Sequence, residues 1–340
     1  MSTALTPKPH SPATSWGERL HRLHIDPWLV SLLASVGVLG LVILYSASGQ
    51  SLAYVIAQLQ RLLLGFSVMV LLAQVPPEFY RTVAPWLYGS GTLLLMLTLV
   101  LGDHAKGAQR WLDLGVLRFQ PSEIMKLAMP MMVAAYLHGR PLPPSARDVF
   151  ITLAIIGFPA ALIAVQPDLG TGLLVIAAGM FALYLAGLSW RWIASAVMLV
   201  AAAAPLLWFK LHDYQRNRVL TFLDPERDPL GTGYHITQSK IAIGSGGAFG
   251  KGWLNGTQAK LDFLPESHTD FIFAVFSEEL GSIGVILLLT LYCFVVGRGL
   301  FIALRGHDTF QRLLAGSLSL TFFIYVFINM GMVMGLMPVV

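Results

Sequence analysis

Long apolar runs, separated by short polar segments, dominate the chain. A helix that crosses a bilayer needs about 20 mostly apolar residues. Nine runs have roughly that length and composition, at residues 27–48, 52–74, 83–102, 121–138, 149–165, 170–188, 190–209, 270–297 and 311–335. Several of them contain proline, which membrane helices tolerate better than soluble helices do. The pattern predicts an all-α polytopic membrane protein with about nine transmembrane helices.

The composition supports this prediction. The 340 residues are 56% hydrophobic and 12% charged, which is too apolar for a soluble protein. The formal charge of +4 is spread over many loops without a basic run, so no nucleic-acid partner is expected. The single cysteine, Cys293, excludes an intramolecular disulfide. No cleavable signal peptide is visible before the first run, which we expect to be an uncleaved anchor.

Lys and Arg in short loops predict the orientation. With residues 1–26 as a cytoplasmic tail, the inner loops carry ten Lys and Arg residues and the short outer loops carry five. The rest, 27–340, is expected to form one transmembrane domain with two larger outer segments, 103–120 and 210–269. The polar chemistry is therefore expected on the outer face. The short turns are interpreted as structural, and Asp168 in "QPDLG" is expected to cap the sixth helix.

A glycine-rich stretch, "GSGGAFGKGW", lies inside the long outer segment. It is not a Walker A phosphate loop, because Ser245 stands where the first Gly belongs and Gly252 stands where Ser or Thr should follow Lys251. We interpret it as a loop that lets backbone approach backbone. A short helix is expected just before it, at 235–243.

Another polar stretch, "LPESHTDFIF", precedes the eighth apolar run. From the residues alone, Thr269 or Asp270 caps the coming helix, or Asp270 is an ionised general base. Glu278 and Glu279 lie two turns further along the same helix and cannot share a face. An acid at bilayer depth either pairs with a cation from another helix or has a functional role.

The fourth run begins with acidic and basic residues. Glu123 and Lys126 are three positions apart, so they can form an ion pair at the start of this helix. The loop before them contains Lys106 and Arg110 beside Trp111. Such residues can hold a lipid head group or act as ordinary interfacial anchors.

Six stretches, taken together and in order, resemble the SEDS family (shape, elongation, division and sporulation), in particular its elongation, RodA-like branch. They are "YSASGQ", "KGAQRWLDLG", "FQPSEIMKLA", "QPDLGT", "DPLGTGYHITQSKIAIGSGGAFGKGWLNGTQ" and "LPESHTDFIFAVFSEELG". The resemblance covers roughly residues 24–340. The family pattern has ten helices, and the last of these would follow residue 340.

The resemblance implies a peptidoglycan glycosyltransferase of the bacterial inner membrane. Such proteins polymerise lipid II on the periplasmic face, together with a class B penicillin-binding protein, other membrane proteins of the elongation complex and membrane lipids. The family's essential Asp corresponds to Asp270, the expected catalytic residue. The substrate-binding residues that the resemblance implies are Lys106, Arg110, Trp111, Glu123, Lys126 and Glu279.

The implied chemistry needs one base and nearby positive charge. Asp270 would accept the proton of an acceptor GlcNAc 4-hydroxyl while polyprenyl diphosphate leaves. A diphosphate leaves as a stable anion, so no protein acid is required, unlike in a glycosidase. Lys106, Arg110 and Lys126 could stabilise it, and a divalent cation, Mg²⁺ or Mn²⁺, could share this role. The alternatives are a lipid II flippase or transporter, and a scaffold for a transpeptidase.

Overall fold

The computed structural model describes residues 24–105, 108–113, 118–166, 168–210, 216, 220, 232–261, 263–264 and 267–337. The helices are α1 Pro27–Ala47, α2 Leu52–Ala73, α3 Pro77–Leu101, α4 Pro121–His138, α5 Ala146–Val165, α6 Leu169–Leu185, α7 Trp190–Lys210, α8 Thr232–Ser245, α9 Thr257–Lys260, α10 Ile272–Leu304 and α11 Thr309–Val333. The strands, all between α3 and α4, are β1 Asp103–Ala105, β2 Ala108–Asp113 and β3 Arg118–Phe119.

Each of the nine predicted apolar runs falls on a helix, so the helical membrane class is confirmed. Within the described residues, six helices are long and apolar enough to cross a membrane: α1, α2, α3, α5, α10 and α11. The other three runs form α4, α6 and α7. The total of nine spans stays a prediction. The bounds differ most at α3, which begins at Pro77, and at α10, which continues to Leu304.

The outer segment 103–120 is more ordered than a plain loop. Its strands form a small antiparallel sheet in the order β1-β2-β3. The β1–β2 hairpin pairs Ala105 with Ala108, and β2 pairs Leu112 with Phe119. Strand pairing satisfies backbone groups that an irregular connection would leave to water. The sequence prediction of a purely helical chain missed this sheet, which holds β2 beside α3 and α4.

Polar side chains fix the starts of α1 and α6. Asp26 caps α1 by accepting a hydrogen bond from the Leu29 N–H at 2.8 Å. Its carboxylate also binds the Arg298 guanidinium through two nitrogens, at 3.1 and 2.6 Å. This pair joins the beginning of α1 to the last part of α10, so the two helices run antiparallel. Asp168 caps α6 by accepting from the Thr171 N–H, which confirms the prediction for this residue.

Among the residues that the structure describes, buried side chains gather in two core clusters. One lies among α3, α4, α5, α6 and the first turns of α11, and includes Met125, Met129 and Phe310. The other gathers the first residues of α10 with the last turns of α1 and α11, and includes Ile43, Phe273, Ala274, Met330 and Val333. The second cluster therefore holds the start of α10 against two neighbouring helices.

Helix α10 is broken at Gly281, where φ is 66° and ψ is −168°. A break leaves carbonyls before it and N–H groups after it without helical partners. The glycine-rich loop supplies those partners. The hydrogen bonds join Lys251 N to Glu278 O, Gly252 N to Glu279 O, Ser282 N to Gly247 O and Ile283 N to Ala248 O, at 2.9 to 3.1 Å.

Close backbone approach explains the glycines at this junction. A Cβ at Gly246 would overlap the carbonyl of Ser277, and one at Gly250 would overlap the carbonyl of Glu279. A Cβ at Gly281 would meet the backbone of the loop itself. The interpretation of this stretch as a loop that lets backbone approach backbone is confirmed.

The glycine-rich part of the predicted outer segment 210–269 is therefore folded against α10. The expected short helix at 235–243 is confirmed as α8. After the glycine-rich loop, Trp253 packs on Tyr45 with ring centroids 6.1 Å apart. Its Nε1 donates to the Val42 carbonyl of α1 at 3.2 Å. The loop thus links α10 to α1.

Candidate functional site

Asp270 lies in a turn immediately before α10, and its side chain is exposed. The N-cap position belongs to Phe271, which makes no side-chain capping hydrogen bond. Neither Thr269 nor Asp270 therefore occupies the N-cap position, because the turn continues to Phe271 before the helix begins. The Ser267 hydroxyl donates to the Ala47 carbonyl at 3.0 Å, so the segment before Asp270 is fixed to the end of α1.

Asp270 lines a groove of about 460 Å³ between α1, α10 and α11, which we call the Asp270 groove. Its walls are mostly apolar and include Val36, Ile43, Phe276 and Leu288. Its polar members are Thr269, Asp270, Tyr292, Tyr325 and Asn329. A carboxylate beside an apolar groove suits an amphiphile whose polar group reacts while its chain lies along the helices.

The predicted pair on α4 adjoins this groove. Lys126 Nζ lies 2.7 Å from Glu123 Oε2, which confirms the predicted ion pair. The same Nζ lies 5.2 Å from the ring centroid of Tyr325, a residue of the groove wall. The Lys126 side chain is 18% exposed, whereas that of Glu123 is 53% exposed. Tyr325 thereby connects the cation of α4 to the groove that Asp270 lines.

Glu278 is buried and fully engaged by the loop segment. Its Oε1 accepts from Lys251 Nζ at 2.7 Å and from the Thr257 N–H and hydroxyl at 2.8 and 2.7 Å. Of the two alternatives left open for these acids, pairing with a cation is confirmed for Glu278, but the cation comes from the glycine-rich loop rather than from another helix. The reason is the break in α10, which brings that loop to the level of Glu278.

Glu279 is 1% exposed, and its Oε1 accepts a hydrogen bond from the Ser46 hydroxyl of α1. It does not line the Asp270 groove. Its contacts join the broken helix to α1. The substrate-binding role that the family resemblance implied for Glu279 stays a prediction.

The remaining predicted residues lie on or near the small sheet. Arg110 and Trp111 belong to β2, which packs beside α3 and α4. The Trp111 side chain is 37% exposed. Lys106 lies outside the described residues. The sheet therefore brings Arg110 and Trp111 to the helix that carries Glu123 and Lys126, while the role of each stays a prediction.

Sequence reasoning missed a second groove. This α1–α2 groove, of about 810 Å³, adjoins the same turn, and its polar lining includes Tyr54, Gln58, Arg61 and His268. Tyr54 and His268 are in ring contact, with centroids 4.9 Å apart. The sequence did contain a signal for this groove, because the polar residues 54, 58 and 61 recur at helical spacing in an apolar run. Tyr325 gave no such signal, because one tyrosine in an apolar helix does not stand out.

No group of three or more His, Cys, Asp or Glu side chains converges as a metal site among the residues that the structure describes. The expectation of a divalent cation stays untested.

Comparison with known proteins supports the resemblance. Residues 27–340 match the family model FTSW_RODA_SPOVE, described as cell cycle protein. The chain is 53% identical to the peptidoglycan glycosyltransferase MrdB of Escherichia coli K12, over 94% of this chain and 86% of that protein. The fold is similar to a chain of a structure entitled "Structural coordination of polymerization and crosslinking by a peptidoglycan synthase complex", at 34% identity and TM-score 0.79, covering 92% of this chain and 88% of that one.

The rod shape determining protein RodA of Thermus thermophilus is also similar. Its identity is 30% and its TM-score 0.67, over 92% of this chain and 86% of that one. The range matched by the family model, residues 27–340, contains the described helices and the segment that carries Asp270. This chain therefore belongs to the FtsW/RodA/SpoVE family of cell cycle proteins.

Proposed function

We propose that this chain is a peptidoglycan glycosyltransferase that polymerises lipid II into glycan strands during cell elongation. Its 53% identical relative carries the name of that activity. The observation that supports the proposal most is the exposed Asp270 carboxylate at a largely apolar groove with Lys126 close to the groove wall. A base, a cation and an apolar groove for the lipid chain are the parts that this transfer needs.

The reaction can be written with Asp270 as the only protein proton acceptor. The 4-hydroxyl oxygen of an acceptor GlcNAc forms a bond to the anomeric carbon of a lipid-linked donor. The bond from that carbon to the diphosphate breaks, and the diphosphate leaves with its polyprenyl chain as an anion. Asp270 takes the hydroxyl proton, a role that typically contributes about 10²- to 10⁴-fold to a rate.

The leaving diphosphate needs positive charge as the bond breaks. Among the residues that the structure describes, Lys126 places a cation beside the Asp270 groove. Glu123 and Tyr325 hold its ammonium group there. Lys106 and Arg110 are proposed to add charge from the segment between α3 and α4. Trp111 would pack against the head group from β2.

The site is proposed to open to the periplasm from a multi-pass protein of the bacterial inner membrane. Asp26 and Arg298 join the start of α1 to the last part of α10, and Ser267 binds the end of α1. Asp270 thus lies on the side of the bundle opposite Asp26. The excess of Lys and Arg in the loops on the Asp26 side predicts that this side is cytoplasmic.

The proposed partner is a class B penicillin-binding protein, which cross-links the strands. A structurally similar chain comes from a complex whose name joins polymerization to crosslinking. Other membrane proteins of the elongation complex and surrounding lipids complete the proposed set of partners.

A polymerisation assay in detergent micelles tests the function. The full-length protein and its transpeptidase partner are mixed with lipid II, and the products are separated by size. A detergent micelle lacks the two leaflets of a bilayer, so a flippase would have nothing to transport and would make no glycan. A scaffold would make none either. We expect strands whose synthesis depends on this chain. If none form while the Escherichia coli MrdB complex is active in parallel, the proposal is wrong.

A further inference from the structure

The α1–α2 groove is open because α2 packs on its neighbours loosely. None of the residues of α2 is buried. On the α1 wall, Gly37 and Gly40 line the groove, and a Cβ at Gly40 would meet nothing within 4 Å. The groove is therefore wide and runs along two helices that are otherwise apolar. Its apolar walls suit a lipid chain.

A polar stripe lies on the α2 wall of this groove. Tyr54, Gln58 and Arg61 follow i, i+4 and i+7 spacing and all line it. Arg61 lies about 14 Å along the helix axis from Leu52, which is well inside the span. A cation at that depth is unfavourable unless it faces a cavity and has a partner. In the described part of the chain, the partner of its Nη1 is the neutral Gln58 Oε1, at 3.3 Å.

The two grooves adjoin along α1 and share part of their lining. Val36, Gly40, Thr269 and Ile272 line both. The turn that ends in Asp270 therefore crosses from one groove to the other, with His268 on the α1–α2 side and Asp270 on the α10–α11 side.

We propose that the α1–α2 groove binds the acceptor, a lipid-linked saccharide whose diphosphate is held by Arg61, while the Asp270 groove binds the donor. This inference rests on the proposed function, since glycan transfer between two lipid-linked molecules needs two lipid sites. The donor diphosphate is attached to the reacting carbon, so its cation must lie close to the Asp270 groove, as Lys126 does. The acceptor diphosphate is separated from the reacting hydroxyl by the acceptor's own sugars, so its cation must lie further away.

The chemistry of Arg61 fits this ligand. A guanidinium binds phosphate oxygens through two parallel hydrogen bonds and remains charged in a weakly polar setting. The apolar walls, including Leu41, Leu44 and Leu62, would contact the polyprenyl chain. The rival occupant is a bulk anionic phospholipid, which offers a phosphate but no sugars that could extend over Gly40 towards Asp270.

Counting bound lipids tests the site without depending on catalysis. The Asp270→Asn protein with its transpeptidase partner is placed in phosphatidylcholine nanodiscs, lipid II is titrated, and native mass spectrometry counts the lipids. We expect two saturable lipid II molecules. With Arg61→Gln added, one remains tightly bound and the affinity for the other falls about tenfold or more, the loss expected for a charged hydrogen-bonded contact. Arg61→Lys should restore part of it.

Arg147→Gln is the matched control, because it removes an exposed arginine at the start of α5 that lines neither groove. It should leave two lipid II molecules bound. Retention of the first lipid in Arg61→Gln shows that the protein is folded, and Gln58→Ala gives a second variant of the same stripe. Two undiminished sites in Arg61→Gln would overturn the inference. So would displacement of the second lipid II by equimolar phosphatidylglycerol.

The two proposals can fail separately. A wild-type protein that binds two lipid II molecules but makes no glycan would contradict the polymerase function and still support this binding site. A protein that makes glycan but binds two lipid II molecules with the same affinities with and without Arg61 would support the polymerase function and contradict this binding site.

Discussion

Lys251 Nζ lies 2.7 Å from Glu278 Oε1, so a loop residue provides the counter-charge for a carboxylate that is buried beside the break in α10. Thr257 donates two more hydrogen bonds to the same oxygen. The contact joins the glycine-rich loop to the part of α10 just before its break at Gly281. It therefore couples the position of the loop to the segment that leads back to Asp270.

Replacing Lys251 should destabilise this junction. In Lys251→Met the Glu278 carboxylate keeps only neutral donors, and we expect a loss of about 1–3 kcal/mol in the free energy of unfolding. Thermal melting in detergent measures it. The double variant Lys251→Met/Glu278→Gln should recover part of the loss, because a neutral amide no longer needs the cation. An unchanged melting temperature in the single variant would show that the pair contributes nothing.

Gly281→Ala should be far more damaging than Gly297→Ala in the same helix. Gly281 has φ 66° and ψ −168°, a region that only glycine adopts readily, and a Cβ there would meet the loop backbone. The strain alone costs about 1–3 kcal/mol. Gly297 has open space around it, so alanine should be neutral or stabilise by up to about 1 kcal/mol. Folded yield and melting temperature give the comparison, and equal effects would contradict the proposed role of the break.

Two substitutions at Asp26 should separate its roles. Asp26→Asn can still cap α1 but loses the ion pair with Arg298, which should cost at most about 1 kcal/mol. Asp26→Ala loses the cap as well, which should add about 0.5–2 kcal/mol. Melting curves of the two variants should therefore fall in that order below the wild type. A reversed order would show that the cap is unimportant here.

Lys126→Met should lower the rate of lipid II polymerisation by roughly 10²-fold, the loss typical of one group that stabilises developing negative charge. Lys126→Arg keeps a cation beside Tyr325 and should retain more activity. Glu123→Gln is the control, because it removes the ion-pair partner but keeps the ammonium group. Initial rates should rank Glu123→Gln above Lys126→Arg and both above Lys126→Met. Full activity in Lys126→Met would remove Lys126 from the proposed mechanism.

The apolar pattern was sufficient to predict the helices, because length and hydropathy decide whether a segment can lie in a bilayer. Two local motifs were also interpreted correctly: Asp168 as a helix cap, and the glycine-rich stretch as a place where backbone approaches backbone closely. Both are local properties, set by residues within a few positions of one another.

Contacts between distant elements could not be predicted. Nothing in the run 270–297 marks the break at Gly281, so a partner cation for Glu278 or Glu279 was considered only on another helix. The link from Lys126 to the Asp270 groove passes through Tyr325, about 200 positions away in the chain. The turn before α10 was interpreted as a possible cap because capping residues also occur in ordinary turns.

Substitution of Asp270 tests the central claim most directly. Asp270→Asn keeps the size and polarity of the side chain but removes its ability to accept the hydroxyl proton. The wild type, Asp270→Asn and the distant exposed acid variant Glu78→Gln are each combined with the transpeptidase partner and lipid II, and initial rates of glycan formation are measured. The account predicts a loss of about 10²- to 10⁴-fold for Asp270→Asn alone, with lipid II still bound. Glycan strands made by Asp270→Asn at the wild-type rate would contradict it.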